Sequence, residues 1–254
     1  MLESYIRSRL NEKDILLMTH IVLGYPSFQE NLRAIEVMVE GGVDLMELQI
    51  PFSEPIADGP VILRANQKAL ETGARVQACL DFACEVTRVF DIPFLIMSYY
   101  NILYKYGIGR FAALMEERGL RGAIIPDLPP EEGEEYLHAL RTHHLAPILI
   151  YSPRTSSKRM AYLATFARGF IYCVARKGVT GAATDFSKDI TAYLSKCRKA
   201  TRLPLALGFG VKEKGDLEYL KGKAEIAVVG TETIRVMERG GTEGIADFIG
   251  RLLS

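Results

Sequence analysis

Leu45-Met46-Glu47-Leu48-Gln49-Ile50, followed at once by Pro51-Phe52-Ser53-Glu54-Pro55-Ile56-Ala57-Asp58-Gly59-Pro60, is the stretch on which the reading of this chain turns. Its first half is a short apolar run interrupted by one carboxylate, Glu47, which is costly to bury unless it is paired, neutralised or used. A half-exposed strand polarity is the plain structural alternative for that residue. Pro51 ends the run, Pro55 and Pro60 stiffen the loop beyond it, and a second carboxylate, Asp58, stands just before Gly59. Two acids therefore leave one strand end together.

Outward from this stretch the same texture recurs. Short runs rich in β-branched and other apolar residues lie at Ile15–Val22, Val43–Ile50, Ile92–Ser98, Gly122–Pro126, Ala146–Tyr151, Gly169–Val174, Leu203–Gly208 and Glu225–Gly230. Between them, apolar residues recur at helical spacing, as in Leu32, Ile35 and Val39 or Phe111, Leu114 and Met115. Glycines past the helix ends, in Glu40-Gly41-Gly42-Val43 and Arg118-Gly119-Leu120, suit the left-handed turn back into a strand. Eight strands separated by helical crossovers predict an α/β fold, a closed (β/α)8 TIM barrel forming a single domain over residues 1–254. An open doubly wound sheet is the alternative. Against it, the first strand ends in Leu23-Gly24-Tyr25-Pro26 rather than in G-x-G-x-x-G, and no Pro/Ser-rich linker divides the chain. Residues 51–91 exceed one helix and predict a functional loop plus an extra helical segment. Leu2, Tyr5, Ile6 and Leu10 predict an N-terminal helix capping one end of the barrel.

The composition excludes several classes of function. With 254 residues, 48% of them apolar, a large core is available, and 31 basic against 31 acidic side chains leave no footprint for nucleic acid or an anionic membrane. Cys79, Cys84, Cys173 and Cys197 form no C-x-x-C spacing and read as reduced thiols. The charged amino terminus lacks the pattern of a secretion signal, and no run approaches the roughly 18 apolar residues of a membrane span. A cytoplasmic enzyme of small molecules is the expectation.

In a barrel, chemistry gathers where strands end at their carboxyl side, and the last two strand-to-helix loops commonly bind phosphate. Here those loops read Gly208-Phe209-Gly210-Val211 and Gly230-Thr231, the latter just before the helical Glu232–Met237. Their glycines let backbone N–H groups approach an anion, and Thr231 stands at a helix start. Ordinary turn and cap chemistry is the alternative for either loop alone. The run from Tyr172 through Arg176-Lys177-Gly178-Val179-Thr180-Gly181-Ala182 predicts a mobile, substrate-covering loop, with Arg176 and Lys177 solvating it. Tyr99-Tyr100-Asn101 adds aromatic surface. Asp127 ends the fourth strand, and Glu131-Glu132-Gly133-Glu134-Glu135 reads as acid in the first turn of a helix. His138, His143 and His144 read as surface residues, while His20 faces the site with no evident acid partner. No metal spacing, Ser/His/Asp array or P-loop is present. The residues alone thus point to a phosphorylated small molecule handled by Glu47 and Asp58 as acid/base groups.

Glu47 to Pro60, with Tyr99-Tyr100-Asn101, Pro126-Asp127-Leu128-Pro129, Gly178-Val179-Thr180-Gly181-Ala182 and Gly208-Phe209-Gly210, closely resembles the tryptophan synthase α subunit family, in family order over nearly the whole chain. The resemblance implies retro-aldol cleavage of indole-3-glycerol phosphate to indole and D-glyceraldehyde 3-phosphate, with no metal and no cofactor in this chain. It assigns the acid/base work to Glu47 and stabilisation of the indole N–H to Asp58. Tyr172, Tyr99, Phe209 and Thr180 are then substrate contacts, and Gly181, Gly210, Gly230 and Thr231 hold the phosphate. The implied partner is a pyridoxal-phosphate (PLP) β subunit in an α₂β₂ complex, receiving indole through a tunnel, with loops 51–60 and 176–190 as switching elements.

Three positions depart from the family pattern. Gln49 stands where glycine is usual and is expected to alter the packing beside Glu47 or to hydrogen-bond to it. Thr231 replaces serine and keeps the hydroxyl, and Glu54 replaces aspartate in the partner-facing loop. Two rival readings remain: another phosphate-binding barrel enzyme, disfavoured by the paired acids, and an α-like subunit impaired in turnover that chiefly activates its β partner.

Overall fold

The computed structural model describes residues 1–175, 186–208 and 210–254. In chain order the elements are α1 (Leu2–Arg9), β1 (Leu16–Val22), α2 (Phe28–Glu40), β2 (Leu45–Gln49), α3 (Pro60–Glu71), α4 (Val76–Val89), β3 (Phe94–Met97), α5 (Tyr100–Tyr106), α6 (Ile108–Glu117) and β4 (Gly122–Ile124). Next come α7 (Glu134–Thr142), β5 (Ala146–Tyr151), α8 (Ser157–Phe166), β6 (Ile171–Val174), α9 (Phe186–Ala200), β7 (Leu205–Gly208), α10 (Lys214–Leu220), β8 (Ile226–Val229) and α11 (Thr231–Leu253). The eight strands pair in parallel in sequence order, and β8 closes on β1 to complete a barrel. All eight predicted strands are present, with ends within two residues of those read from the sequence. The open-sheet alternative is excluded by the β1–β8 pairing.

Period-two alternation divides the core into two layers. Leu16, Met18, Leu45, Leu95, Phe170 and Val228 fill the barrel, while Leu17, Ile21, Met46, Leu48 and Ile171 pack outward against the helices. On β2 the same alternation that turns Leu45 inward turns Glu47 and Gln49 inward. The long interval after β2 holds two helices, α3 and α4, one of them the extra segment that the sequence predicts. A second pair, α5 and α6, lies between β3 and β4 and breaks at Gly107, whose φ of 95° favours glycine.

The amino-terminal helix closes the end of the barrel opposite the loops that carry the candidate site residues. Leu2 and Ile6 are buried in the interior cluster, and Tyr5 Oη donates to the Asp44 carbonyl at 3.1 Å. Asp44 itself is 1% exposed just before β2. Its carboxylate accepts from Arg9 Nη2 at 3.1 Å, Lys13 Nζ at 2.8 Å and the Leu17 amide at 3.0 Å, tying α1 to the starts of two strands. Removing a buried carboxylate with three donors strands the donors as well. Asp44→Ala is expected to lower unfolding free energy by roughly 2–3 kcal/mol while leaving turnover within about 2-fold, because the site lies at the other end. Urea titration and steady-state assay on the same preparation check both halves.

Candidate active site

The site grows from two neighbouring strands in register. In the β1–β2 ladder His20 is paired with Glu47, and each stands two residues before its strand end. Both point into the barrel and both are nearly sealed from solvent, at 4% and 3% exposed. The His20 Nδ1 atom lies 3.2 Å from Glu47 Oε1. Tyr172, from β6 across the barrel, donates its hydroxyl to the same oxygen at 3.3 Å. No described residue donates to Oε2. The buried carboxylate is thus held through one oxygen, and the other is left for chemistry.

Asp58 lies in the loop between β2 and α3 and is positioned from outside that loop. Gln49, two residues beyond Glu47 on the same face of β2, donates Nε2 to Asp58 Oδ2 at 2.7 Å. Tyr99, at the end of β3, donates its hydroxyl to the same atom at 3.1 Å and accepts from the Ala57 amide at 3.2 Å. The loop is pinned further by Asn66 of α3, whose side chain accepts from the Phe52 amide at 2.9 Å and donates to the Ile62 carbonyl at 2.8 Å. The Phe52 and Tyr99 rings stack with centroids 5.2 Å apart.

Electrostatics tie these groups together. Asp58 is pushed above the ordinary carboxylate range by burial; hydrogen bonds from Gln49 and Tyr99 and the charge of His20 pull it partly back, and the Glu47 charge pushes it up. Burial works against a charged His20 ring. The hydrogen bond and charge of Glu47, joined by the Asp58 charge and the Gln49 amide, outweigh that and raise it. Burial, then the nearby carboxylates, push the Tyr172 hydroxyl well up, so it remains a donor at neutral pH.

At the ends of β7 and β8 the backbone is open. A side chain at Gly208 would come within 3.2 Å of the Tyr172 ring, so glycine there leaves the ring its room. Gly210 has φ of 91° with open space where a side chain would point. Gly230 closes β8 beside the His20 Cβ atom, and Thr231 is the first residue of α11. These positions are all on the Glu47 side of the barrel. Thr180, Gly181 and Phe209, with Arg176, Lys177 and the rest of residues 176–185, lie outside the described residues.

The structure changes several readings. His20, which has no evident acid partner in the sequence, is partnered by Glu47. The Gln49 amide, expected to act on Glu47, holds Asp58 instead. Tyr99 is fully buried against Phe52 and touches Asp58. Asp127 accepts from the Tyr100 amide at 2.9 Å, fastening the β4 loop to the start of α5. In the acidic run only Glu134 and Glu135 lie in the first turn of α7, and Glu131 pairs with Arg159 of α8. Among the described residues no group of three or more His, Cys, Asp or Glu could hold a metal ion. Asn66 is a site residue that sequence reasoning misses, and His20 is placed at the site by the sequence but without its partner Glu47. The signal for His20 is its matching distance from a strand end, and for Asn66 there is none.

Barrel, buried glutamate and glycine-bearing strand ends define a (β/α)8-barrel enzyme with its chemistry at the carboxyl ends of the strands. Residues 7–248 match the family model described as tryptophan synthase alpha chain. Curated tryptophan synthase alpha chains from Desulforapulum autotrophicum and Syntrophotalea carbinolica are 61% and 59% identical over 249 residues, each comparison covering 98% of both chains. A solved tryptophan synthase subunit alpha from Legionella pneumophila superposes with a TM-score of 0.90 at 27% identity, over 99% of this chain and 96% of that one. The chain belongs to the tryptophan synthase alpha chain family. A further neighbour, from Pyrococcus furiosus, comes from work on mutual activation of its tryptophan synthase α₂β₂ complex, with a TM-score of 0.87 at 28% identity over 94% of this chain and 97% of that one.

The raised pKa of Asp58 sets a stability test. Its folded value lies above the ordinary 3.8, so the penalty of burying the anion is complete above the folded value and fades as pH falls through it towards 3.8. Asp58→Asn, which keeps an oxygen acceptor, is expected to raise the denaturation midpoint at about pH 8 and to lose that advantage near pH 4. An advantage of equal size at both would contradict the burial account.

Proposed function

We propose that this protein is the α subunit of a tryptophan synthase and cleaves indole-3-glycerol phosphate to indole and D-glyceraldehyde 3-phosphate. The observation that carries this reading is the convergence of Glu47, held through one oxygen, and Asp58, held by Gln49 and Tyr99, on the same mouth of the barrel. Cleavage needs a proton at indole C3. Glu47 delivers it through Oε2, which leaves the C3 atom tetrahedral and positive charge on the ring nitrogen. Asp58 accepts the indole N–H and stabilises that charge, a role in which a buried carboxylate acts most strongly. Glu47 then takes the proton of the side-chain hydroxyl, the bond from C3 to the carbinol carbon breaks, and its electron pair restores the indole ring. The hydroxyl proton replaces the one given to C3, so the glutamate ends as it began.

Tyr172 orients Glu47, while Tyr99 acts through Asp58. Thr180 and Phe209 complete the substrate contacts. Gly181, Gly210, Gly230 and Thr231 bind the phosphate, supported by the positive φ at Gly210 and by Thr231 opening α11, where free N–H groups favour an anion. The chain works as one domain over residues 1–254, in the cytoplasm, without a cofactor of its own. No helix among the described residues is long and apolar enough to cross a membrane. Its partner is a PLP-dependent β subunit in an α₂β₂ complex, for which the Pyrococcus furiosus neighbour is the precedent. Loop 51–60 faces that partner, with Ile56 80% exposed at its tip.

Glu47→Gln is expected to lower indole release by roughly 10²-fold or more with the fold and β-subunit binding intact; a rate near that of the wild type would refute the assignment. Gly210→Val is expected to weaken indole-3-glycerol phosphate far more than free indole. Isothermal titration with each ligand reads the difference, and equal losses would argue against the phosphate site.

A further inference from the structure

Among the described residues, the ring of His20 is the one buried titratable group at the mouth that the cleavage reaction does not use. It is abreast of Glu47 in the β1–β2 register, 4% exposed, with Nδ1 3.2 Å from Glu47 Oε1. Its other nitrogen, Nε2, is buried with no hydrogen-bond partner among the described residues, as is Gln49 Oε1. The neighbouring elements supply the charged and titratable groups that face it: Glu47 from β2, Asp58 from the loop after β2, and Tyr172 from β6 through their shared contact with Glu47. From the β8 side come Gly230, beside its Cβ atom, and Thr233, whose hydroxyl donates to the His20 carbonyl at 3.0 Å. Backbone and ring are both held.

A carboxyl group that must give a proton from one particular oxygen faces a choice, because its two oxygens are chemically equivalent until something distinguishes them. Two donors on one oxygen make that oxygen an acceptor and leave the acidic hydrogen to the other. We propose that His20 is a positioning residue for the cleavage reaction: its Nδ1–H and the Tyr172 hydroxyl together occupy Glu47 Oε1, so the reactive proton resides on Oε2. The inference rests on the proposed lyase function for its kinetic consequence, but the pairing itself is a property of the free protein. His20 Nδ1 and Glu47 Oε1 lie 3.2 Å apart with both side chains nearly sealed from solvent, and Glu47 raises the ring against its burial, so the ring is part of the acid/base system.

The proposal is tested on the full-length chain by two measurements. First, the pH profile of kcat/KM for indole release is compared between wild type and His20→Gln, whose amide can donate but cannot titrate. Loss of the titrating ring, which Glu47 holds above its ordinary value, moves one limb of the profile and lowers kcat by roughly 10-fold, with KM changing less than about 3-fold. A profile in His20→Gln that superimposes on wild type overturns the proposal, even if turnover falls, because a purely structural ring would lower the rate without moving the limb. Second, the imidazole nitrogens are followed by NMR in the wild type and in Glu47→Gln, the His20 ring being assigned through its own Cβ, which lies beside Gly230. Nδ1 carrying the hydrogen, and a pKa that falls when Glu47 loses its charge, support the pair. A bare Nδ1, or a pKa unchanged in Glu47→Gln, overturns it without reference to any variant at position 20. A wild-type chain that releases no indole sinks the lyase reading instead, and the NMR comparison still decides the pairing.

Discussion

A carboxylate sealed inside a closed sheet has to be met by donors, and the site is built around that requirement at Glu47. Water cannot solvate a side chain 3% exposed, so its charge or its proton is managed by His20 and Tyr172 alone among the described residues. Those two come from strands on different sides of the barrel, and only ring closure brings them to one oxygen. The position of Tyr172 depends in turn on the bare backbone of Gly208 beneath it. Asp58 obeys the same logic one step removed. Its own loop gives it no donor among the described residues, and it is held by Gln49 on the strand that carries Glu47 and by Tyr99 on the next strand's end. The second acid is thus located by the scaffold of the first.

The two ends of β2 show how one fold separates stability from chemistry. Asp44, just before the strand, and Glu47, within it, are both buried carboxylates. Asp44 is saturated by Arg9, Lys13 and the Leu17 amide, which fasten the capping helix to the barrel floor. Glu47 is saturated on one oxygen only. A fully paired acid is structural, and a half-paired one in an enclosed mouth is available to a substrate.

Much of this is legible in the sequence, for identifiable reasons. Parallel strands buried on both faces leave continuous apolar runs, so all eight can be read, and a glutamate inside one of them stands out against its neighbours. The extra helix after β2 is announced by the length of residues 51–91, but the doubling after β3 is less visible, because a turn at Gly107 inside a long helical pattern does not announce whether a helix bends or ends. Hydrogen-bond partners are the least legible. Gln49 and Glu47 share a face of β2, so proximity suggests that they bond to each other, yet side chains two apart on a strand project in parallel and Gln49 finds Asp58 coming back from the loop. His20 and Glu47 lie twenty-seven positions apart, and only the register of the β1–β2 ladder makes them neighbours.

Closure of β8 onto β1 also governs how the molecule can meet others. An open sheet offers its outermost strands as templates for foreign chains, which invites runaway polymerisation as readily as specific assembly. A hoop of strands with every rung filled offers none. Whatever docks here must grip helices and loops, and it can therefore come and go without unpicking a single rung of the sheet.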